Sequence, residues 1–93
     1  MKDSTAAVLL KIATANTVTI NKDDTWSREF EACHRTSIII YKLIDATVGE
    51  HQIVASMNDD RTSIKLNGVE VGVEGFDEIR NALRERANNL ATK

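Results

Sequence analysis

The apolar and polar positions alternate over the last third of the chain, and a β-hairpin is the structure that this alternation predicts. Apolar residues recur at every second place on both sides of Asn67-Gly68, with charged or polar residues between them. Asn-Gly tolerates the positive φ angles that a two-residue type I′ turn requires. The turn then sets three cross-strand pairs: Leu66 with Val69, Lys65 with Glu70, and Ile64 with Val71.

From Phe76 onward the apolar period lengthens to about 3.6 residues, which predicts an amphipathic helix from about Phe76 to Leu90. Gly75 is a suitable N-cap, and acidic residues in the first turn suit the positive end of the helix dipole. We expect the apolar stripe to pack on the aliphatic face of the hairpin. Its members are Phe76, Ile79, Leu83, Ala87 and Leu90.

Two more strands are predicted before the hairpin. Residues 52–57 alternate weakly and precede a polar turn at residues 58–61, so they should run antiparallel to residues 62–66. Residues 36–44 contain the run Ile38-Ile39-Ile40-Tyr41, whose apolar side chains on both faces favour a central strand buried on both sides. With residues 46–49 as a connection, residues 36–73 form a predicted four-stranded antiparallel meander.

The first 35 residues are less regular. Residues 6–13 and 17–20 are interpreted as two strands around Thr14-Ala15-Asn16. Residues 25–35 fit a helical face with Trp26, Phe30 and Cys33, but they also fit a strand face with Trp26, Phe30 and Ala32. A strand is favoured, although it places Arg28 on the inner side.

Together these elements predict an α+β fold, in which an antiparallel β-meander of about five to seven strands is packed by a C-terminal amphipathic helix. The 93 residues are enough for one core, so residues 1–93 are interpreted as a single domain. A hydrophobic content of 42% with 28% charged residues is typical of a globular chain. Because one helix covers one face of a sheet, the second face should be covered by the N-terminal strands, a second copy or a partner protein.

Charge and cysteine content narrow the class of protein. Twelve basic and fourteen acidic residues give a net charge of -2, unlike the basic surface of a dedicated nucleic-acid binder. Cys33 is the only cysteine, so no intrachain disulfide is possible and a reducing compartment fits best. No apolar run approaches the roughly 20 residues of a membrane span. We therefore expect a soluble, cytoplasmic protein without membrane contact.

No motif for catalysis or metal binding stands out. Cys33-His34 is an adjacent reactive pair, but neighbours in a strand point to opposite faces and would be poorly placed to hydrogen-bond. Zinc sites use closely spaced pairs such as CxxC or HxxxH, and this sequence contains neither. Acidic pairs like those at residues 23–24 and 59–60 are typical of turns. We predict that the protein is not an enzyme and that it has no catalytic residues, metal ligands or cofactors.

The apolar residues of the predicted central strand suggest a protein interface, with Ile38, Ile40 and Tyr41 as its candidate residues. The function that we predict is a small non-enzymatic protein-interaction module, homodimeric or bound to a protein partner, that acts as an adaptor, inhibitor or accessory protein. Homodimerisation would help because a chain this short buries a modest core.

Two alternatives stay open. Aromatic and basic residues interleave as they do in domains that bind single-stranded nucleic acid, although acidic residues of the same region cancel their charge, so this function is not favoured. The candidate residues of this sheet face are Trp26, Arg28, Phe30, Arg35, Tyr41 and Lys42. The second alternative is a small enzyme whose site forms across a dimer interface.

Overall fold

The computed structural model describes residues 3–91, so residues 1–2 and 92–93 of the predicted domain lie outside the described residues. Within that range, five antiparallel strands form one sheet in sequential order, with a helix before and a helix after them. The predicted α+β meander with a C-terminal helix is confirmed. The elements are α1 (Asp3–Thr14), β1 (Val18–Ala32), β2 (Arg35–Val48), β3 (His51–Asn58), β4 (Arg61–Leu66), β5 (Val69–Gly72) and α2 (Phe76–Ala91).

Both helices lie on the same face of the sheet. Helix α2 packs on β1, β3 and β4, while α1 packs on α2 and β5. The N-terminal segment was expected as one of three possible covers of the second face of the sheet, but it does not cover that face. We call this second face the open face. The buried core between helices and sheet consists of Val8, Ile12, Ile44, Ala46, Val48, Ile53, Ala55, Ile64, Phe76, Ile79 and Leu83.

The strand predicted at residues 6–13 is wrong, since these residues belong to helix α1. A strand would place Val8, Leu10 and Ile12 on one face, but Val8 and Ile12 are buried while Leu10 is exposed. Burial instead follows Thr5, Val8 and Ile12, which is a helical spacing. Ala, Leu and Lys are strong helix formers, and here they outweigh the weak alternation. The strand predicted at residues 17–20 lies largely within the much longer β1.

The favoured strand at residues 25–35 is confirmed for residues 25–32, which belong to β1, whereas residues 33–34 form a turn and β2 begins at Arg35. The connection predicted at residues 46–49 is wrong. Strand β2 continues to Val48, and only residues 49–50 separate it from β3. The predicted pairing of residues 52–57 with residues 62–66 is confirmed in the register of β3 with β4.

The predicted hairpin forms, with positive φ at both Asn67 and Gly68 and with Leu66 opposite Val69. The predicted pair of Ile64 with Val71 is wrong, because an extra residue in β5 places Gly72 opposite Ile64. A Cβ atom on Gly72 would lie 2.9 Å from Oγ1 of the buried Thr5. Helix α1 thus crosses the end of β5 at a point where a glycine leaves room for it.

Helix α2 begins at Phe76, as predicted, and Gly75 precedes it with a φ of 86°. The carbonyl of Gly75 accepts the first helical hydrogen bond, from the amide of Ile79 at 3.0 Å. A Cβ atom at this position would lie 2.8 Å from Cγ2 of Thr5. Both the backbone conformation and the close approach of α1 therefore require glycine here.

We expect Gly75→Ala to lower the free energy of unfolding by about 2 to 4 kcal/mol, through the positive φ together with the overlap with Thr5. Gly49→Ala is the matched control. Gly49 also has a positive φ, of 60°, but no atom lies within 4 Å of an added Cβ, so we expect a cost of about 1 kcal/mol. Urea denaturation of the two variants measures the difference, and equal losses would contradict this account of Gly75.

Two arginines of α2 attach it to other elements. Arg86 donates hydrogen bonds of 3.1 and 2.7 Å from Nε and a terminal nitrogen to the carbonyl of Ala15, just after α1 ends. Arg84 donates two more to the carboxylate of Asp23 in β1, at 2.6 and 2.8 Å. The hydrogen bonds to Asp23 raise the pKa of Arg84, which stays charged at physiological pH.

Candidate interaction surface

A two-stranded arm extends beyond the rest of the sheet. Pairing of β2 with β3 ends at Tyr41 and Asn58, whereas pairing of β2 with β1 continues to Arg35 and Ala32. We define the arm as residues 25–41. It contributes to an elongated molecule of 53 × 28 × 20 Å. The central-strand prediction therefore holds only for the part of β2 that follows the arm.

Cys33 and His34 are the two central residues of the turn at the tip of the arm. Their φ angles are 52° and 66°, which is the positive-φ geometry of a type I′ turn. The expectation that they are strand neighbours on opposite faces is wrong. Histidine is enriched at positive φ, but cysteine is not, and neither belongs to the residue types that commonly mark turns.

An extra residue in β1 decides which face each arm residue takes. Ile20 lies opposite Ala46 and Lys22 lies opposite Asp45, so Asn21 has no partner of its own in the ladder. Its side chain donates a hydrogen bond to the hydroxyl of Thr47 at 3.0 Å. Because side chains alternate strictly along a strand, this bulge moves every later side chain of β1 to the opposite face.

The open face of the arm contains five of the six candidate nucleic-acid residues. Trp26 lies opposite Tyr41, and their rings stack with centroids 5.5 Å apart and planes 8° apart. The guanidinium of Arg28 lies 5.8 Å from the centre of the Tyr41 ring. Phe30 and Arg35 follow on the same face toward the tip. Lys42 alternates with Tyr41, so it lies on the helix-covered side.

The other face of the arm carries two of the three candidate interface residues. Ile38 and Ile40 continue the row of β2 side chains that begins with the buried Ile44, but they lie beyond the helices. Their side chains are 61% and 50% exposed. The predicted burial of the isoleucine run on both faces is thus wrong within one chain. Tyr41, the third candidate, is half-buried on the open face.

The fold separates charges that cancel in the sequence. Glu29 and Glu31 lie on the helix-covered side of the arm, opposite Ile38 and Thr36. Arg28 lies on the open face. Glu29 and Glu31 therefore do not neutralise Arg28 on the face that holds the aromatic rings, a separation that depends on the bulge at Asn21. Asp24 and Asp45 do lie on the open face, nearer the middle of the sheet.

Away from the arm, the open face is mainly polar and hydrogen-bonded, with Leu43 and Val54 half-buried among the polar side chains. Gln52 donates from its amide to the carboxylate of Asp45 at 3.3 Å, and the Ser63 hydroxyl donates to Glu70 at 2.9 Å. Such a surface is stable in contact with water. The large exposed apolar side chains of the open face, Trp26 and Phe30, therefore lie on the arm.

The histidines lie far from each other along the fold, with His34 at the arm tip and His51 at the start of β3. Nδ1 of His51 lies 3.0 Å from the side-chain amide nitrogen of Asn67. Among residues 3–91, no three His, Cys, Asp or Glu side chains are grouped so that they could hold a metal ion. Neither described helix has the length and apolar character needed to cross a membrane.

Comparison of the chain with protein-family models, with curated proteins and with solved structures found no match in any of the three.

Proposed function

We propose that this chain is a small non-enzymatic protein-interaction module that forms homodimers through its arm. The observation that supports this most strongly is the exposure of large apolar side chains on both faces of the arm: Trp26, Phe30, Ile38 and Ile40. Several large apolar side chains exposed on one element are typical of protein interfaces.

The local energetics of the arm point the same way. A two-stranded ribbon without a packed face is at best marginally stable in water. The arm gains the stacked pair of Trp26 and Tyr41, but neither helix packs on Ile38 or Ile40. A second molecule that pairs with or packs on the arm would stabilise it and remove part of this apolar surface from water.

The solution mass of the full chain tests the proposal. We expect static light scattering to give twice the chain mass of 10.3 kDa at micromolar concentrations and to approach the chain mass on dilution. A mass of one chain up to millimolar concentration would contradict the homodimer. The arm would then be a candidate interface for a different protein.

A second function, binding of single-stranded nucleic acid, is favoured by one observation. Trp26, Arg28, Phe30 and Arg35 share a face of the arm from which Glu29 and Glu31 are absent. Bases stack on aromatic side chains along such basic surfaces. Titration of Trp26 fluorescence with single-stranded DNA or RNA distinguishes the two functions, and an unchanged signal at low and moderate salt would exclude this one.

A further inference from the structure

We infer that two copies of the chain join edge to edge through β2 of their arms, antiparallel and around a two-fold axis at Ser37. This inference rests on the proposed homodimer and specifies its geometry. The two arms would form a four-stranded ribbon in which residues 35–39 of one copy pair with the same residues of the other.

The backbone of β2 has an open edge along the arm. Ala32 and Arg35 close the turn, so Arg35, Ser37 and Ile39 direct their amides and carbonyls toward β1. The residues between them, Thr36 and Ile38, must direct theirs away from β1. The carbonyl of Ile40 confirms this alternation, because it accepts a hydrogen bond from the amide of Asp59 on the side away from β1.

The two long edges of the arm differ in composition. Strand β1 carries a charged residue at six of the eleven positions 22–32, and charges of this kind discourage pairing of an exposed edge with another strand. Residues 36–41 of β2 are Thr-Ser-Ile-Ile-Ile-Tyr, without charge and rich in β-branched side chains. Such a segment pairs readily with another strand, and its residues 36–39 lie at an edge where no described strand is beside them.

The amides and carbonyls of Thr36 and Ile38 that point away from β1 determine the register in which the two copies pair. A two-fold axis at Ser37 brings Thr36 of each copy opposite Ile38 of the other, so that the amides and carbonyls of both residues find partners. An axis at Ile38 would instead pair Thr36 with Ile40, whose carbonyl already accepts from Asp59. The axis at Ser37 is therefore the arrangement that uses the open edge without displacing an existing hydrogen bond.

Charge complementarity favours a second copy over a different partner. The open edge is bounded at the tip by Arg35 and at its other end by the turn of Asp59 and Asp60, which is exposed. Glu31, the acidic residue near the tip, belongs to β1 and lies at the other edge of the arm. Arg61 follows and leaves that turn with a net charge of -1. In an antiparallel pair, Arg35 of each arm lies toward the acidic turn of the other copy, and this contact occurs twice.

A cysteine cross-link tests the geometry. In the chain with Cys33→Ser and Ser37→Cys, the two new thiols face each other across the axis, where opposed residues of a non-hydrogen-bonded pair suit a disulfide. We expect mild oxidation to link most of this variant into covalent dimers. In this arrangement each native Cys33 lies four residues from the axis at Ser37, which places the two thiols about 25 Å apart at the rise of a β-strand. The wild-type dimer should therefore not cross-link.

The control carries Cys33→Ser with Ser27→Cys, a change at a position of β1 that is also exposed. Light scattering of the reduced proteins is measured beside the gels. Dimers that cross-link through Cys33 or Ser27→Cys but not through Ser37→Cys would overturn the edge-to-edge geometry and leave the homodimer intact. Reduced wild-type protein that stays monomeric would overturn both.

A charge exchange provides a test without cysteines. Arg35→Glu should raise the Kd of the dimer about tenfold, because it opposes the acidic turn of the other copy at two places. Adding Asp60→Lys to this variant should restore the wild-type Kd within about threefold. If the second substitution gives no recovery, the antiparallel arrangement is contradicted. Asp60 is preferred to Asp59 because Asp59 has a positive φ of 58°.

Discussion

Leu83→Ala is expected to lower the free energy of unfolding by about 3 kcal/mol, which is among the largest effects of any single side chain in this core. Leu83 is fully buried on α2, within the cluster that joins both helices to the sheet. Truncation removes apolar contacts and leaves a cavity that the surrounding strands can fill only in part. Urea denaturation at a fixed protein concentration measures the loss.

Leu10→Ala in α1 is the matched control for this prediction. It makes the same substitution in a helix, but the Leu10 side chain is 65% exposed, so we expect a change within about 0.5 kcal/mol. Similar losses in the two variants would show that α1 is oriented differently from the arrangement described above, with Leu10 against the sheet.

Ile38→Thr combined with Ile40→Thr is expected to weaken the homodimer about thirtyfold. The two changes replace four side chains per dimer, and a combined loss of about 2 kcal/mol follows from reduced apolar burial and weaker cross-strand contacts. Threonine keeps the β-branched shape that suits a strand, and both isoleucines are exposed in one chain. The folded monomer should therefore keep its stability while its association is reduced.

Local sequence patterns were sufficient for the strands and helix of the second half of the chain. Asn67-Gly68 marks its turn through the backbone conformation that these residues tolerate, and the change of period at Phe76 marks α2. The N-terminal helix was missed because its short apolar stretch fits both periods. Its identity depends on tertiary contacts, such as the close approach of Thr5 to Gly72 and Gly75.

The candidate surface was only partly predictable for a different reason. Exposure of Ile38 and Ile40 depends on where β3 ends, and the isoleucine run by itself resembles a strand buried on both sides. The bulge at Asn21 then determines that Trp26 and Arg28 share the open face. A single inserted residue reverses every later side chain, and neither this bulge nor the turn at Cys33-His34 has a sequence signal.

We propose that this protein associates through its arm, and light scattering of matched variants tests this role of the arm. The control carries Val69→Thr with Val73→Thr, two exposed apolar positions outside the arm. At a concentration where the wild-type chain is dimeric, we predict that Ile38→Thr with Ile40→Thr gives a mass near 10.3 kDa while the control remains at twice that value. Both variants remaining dimeric, or the control alone dissociating, would contradict this role of the arm.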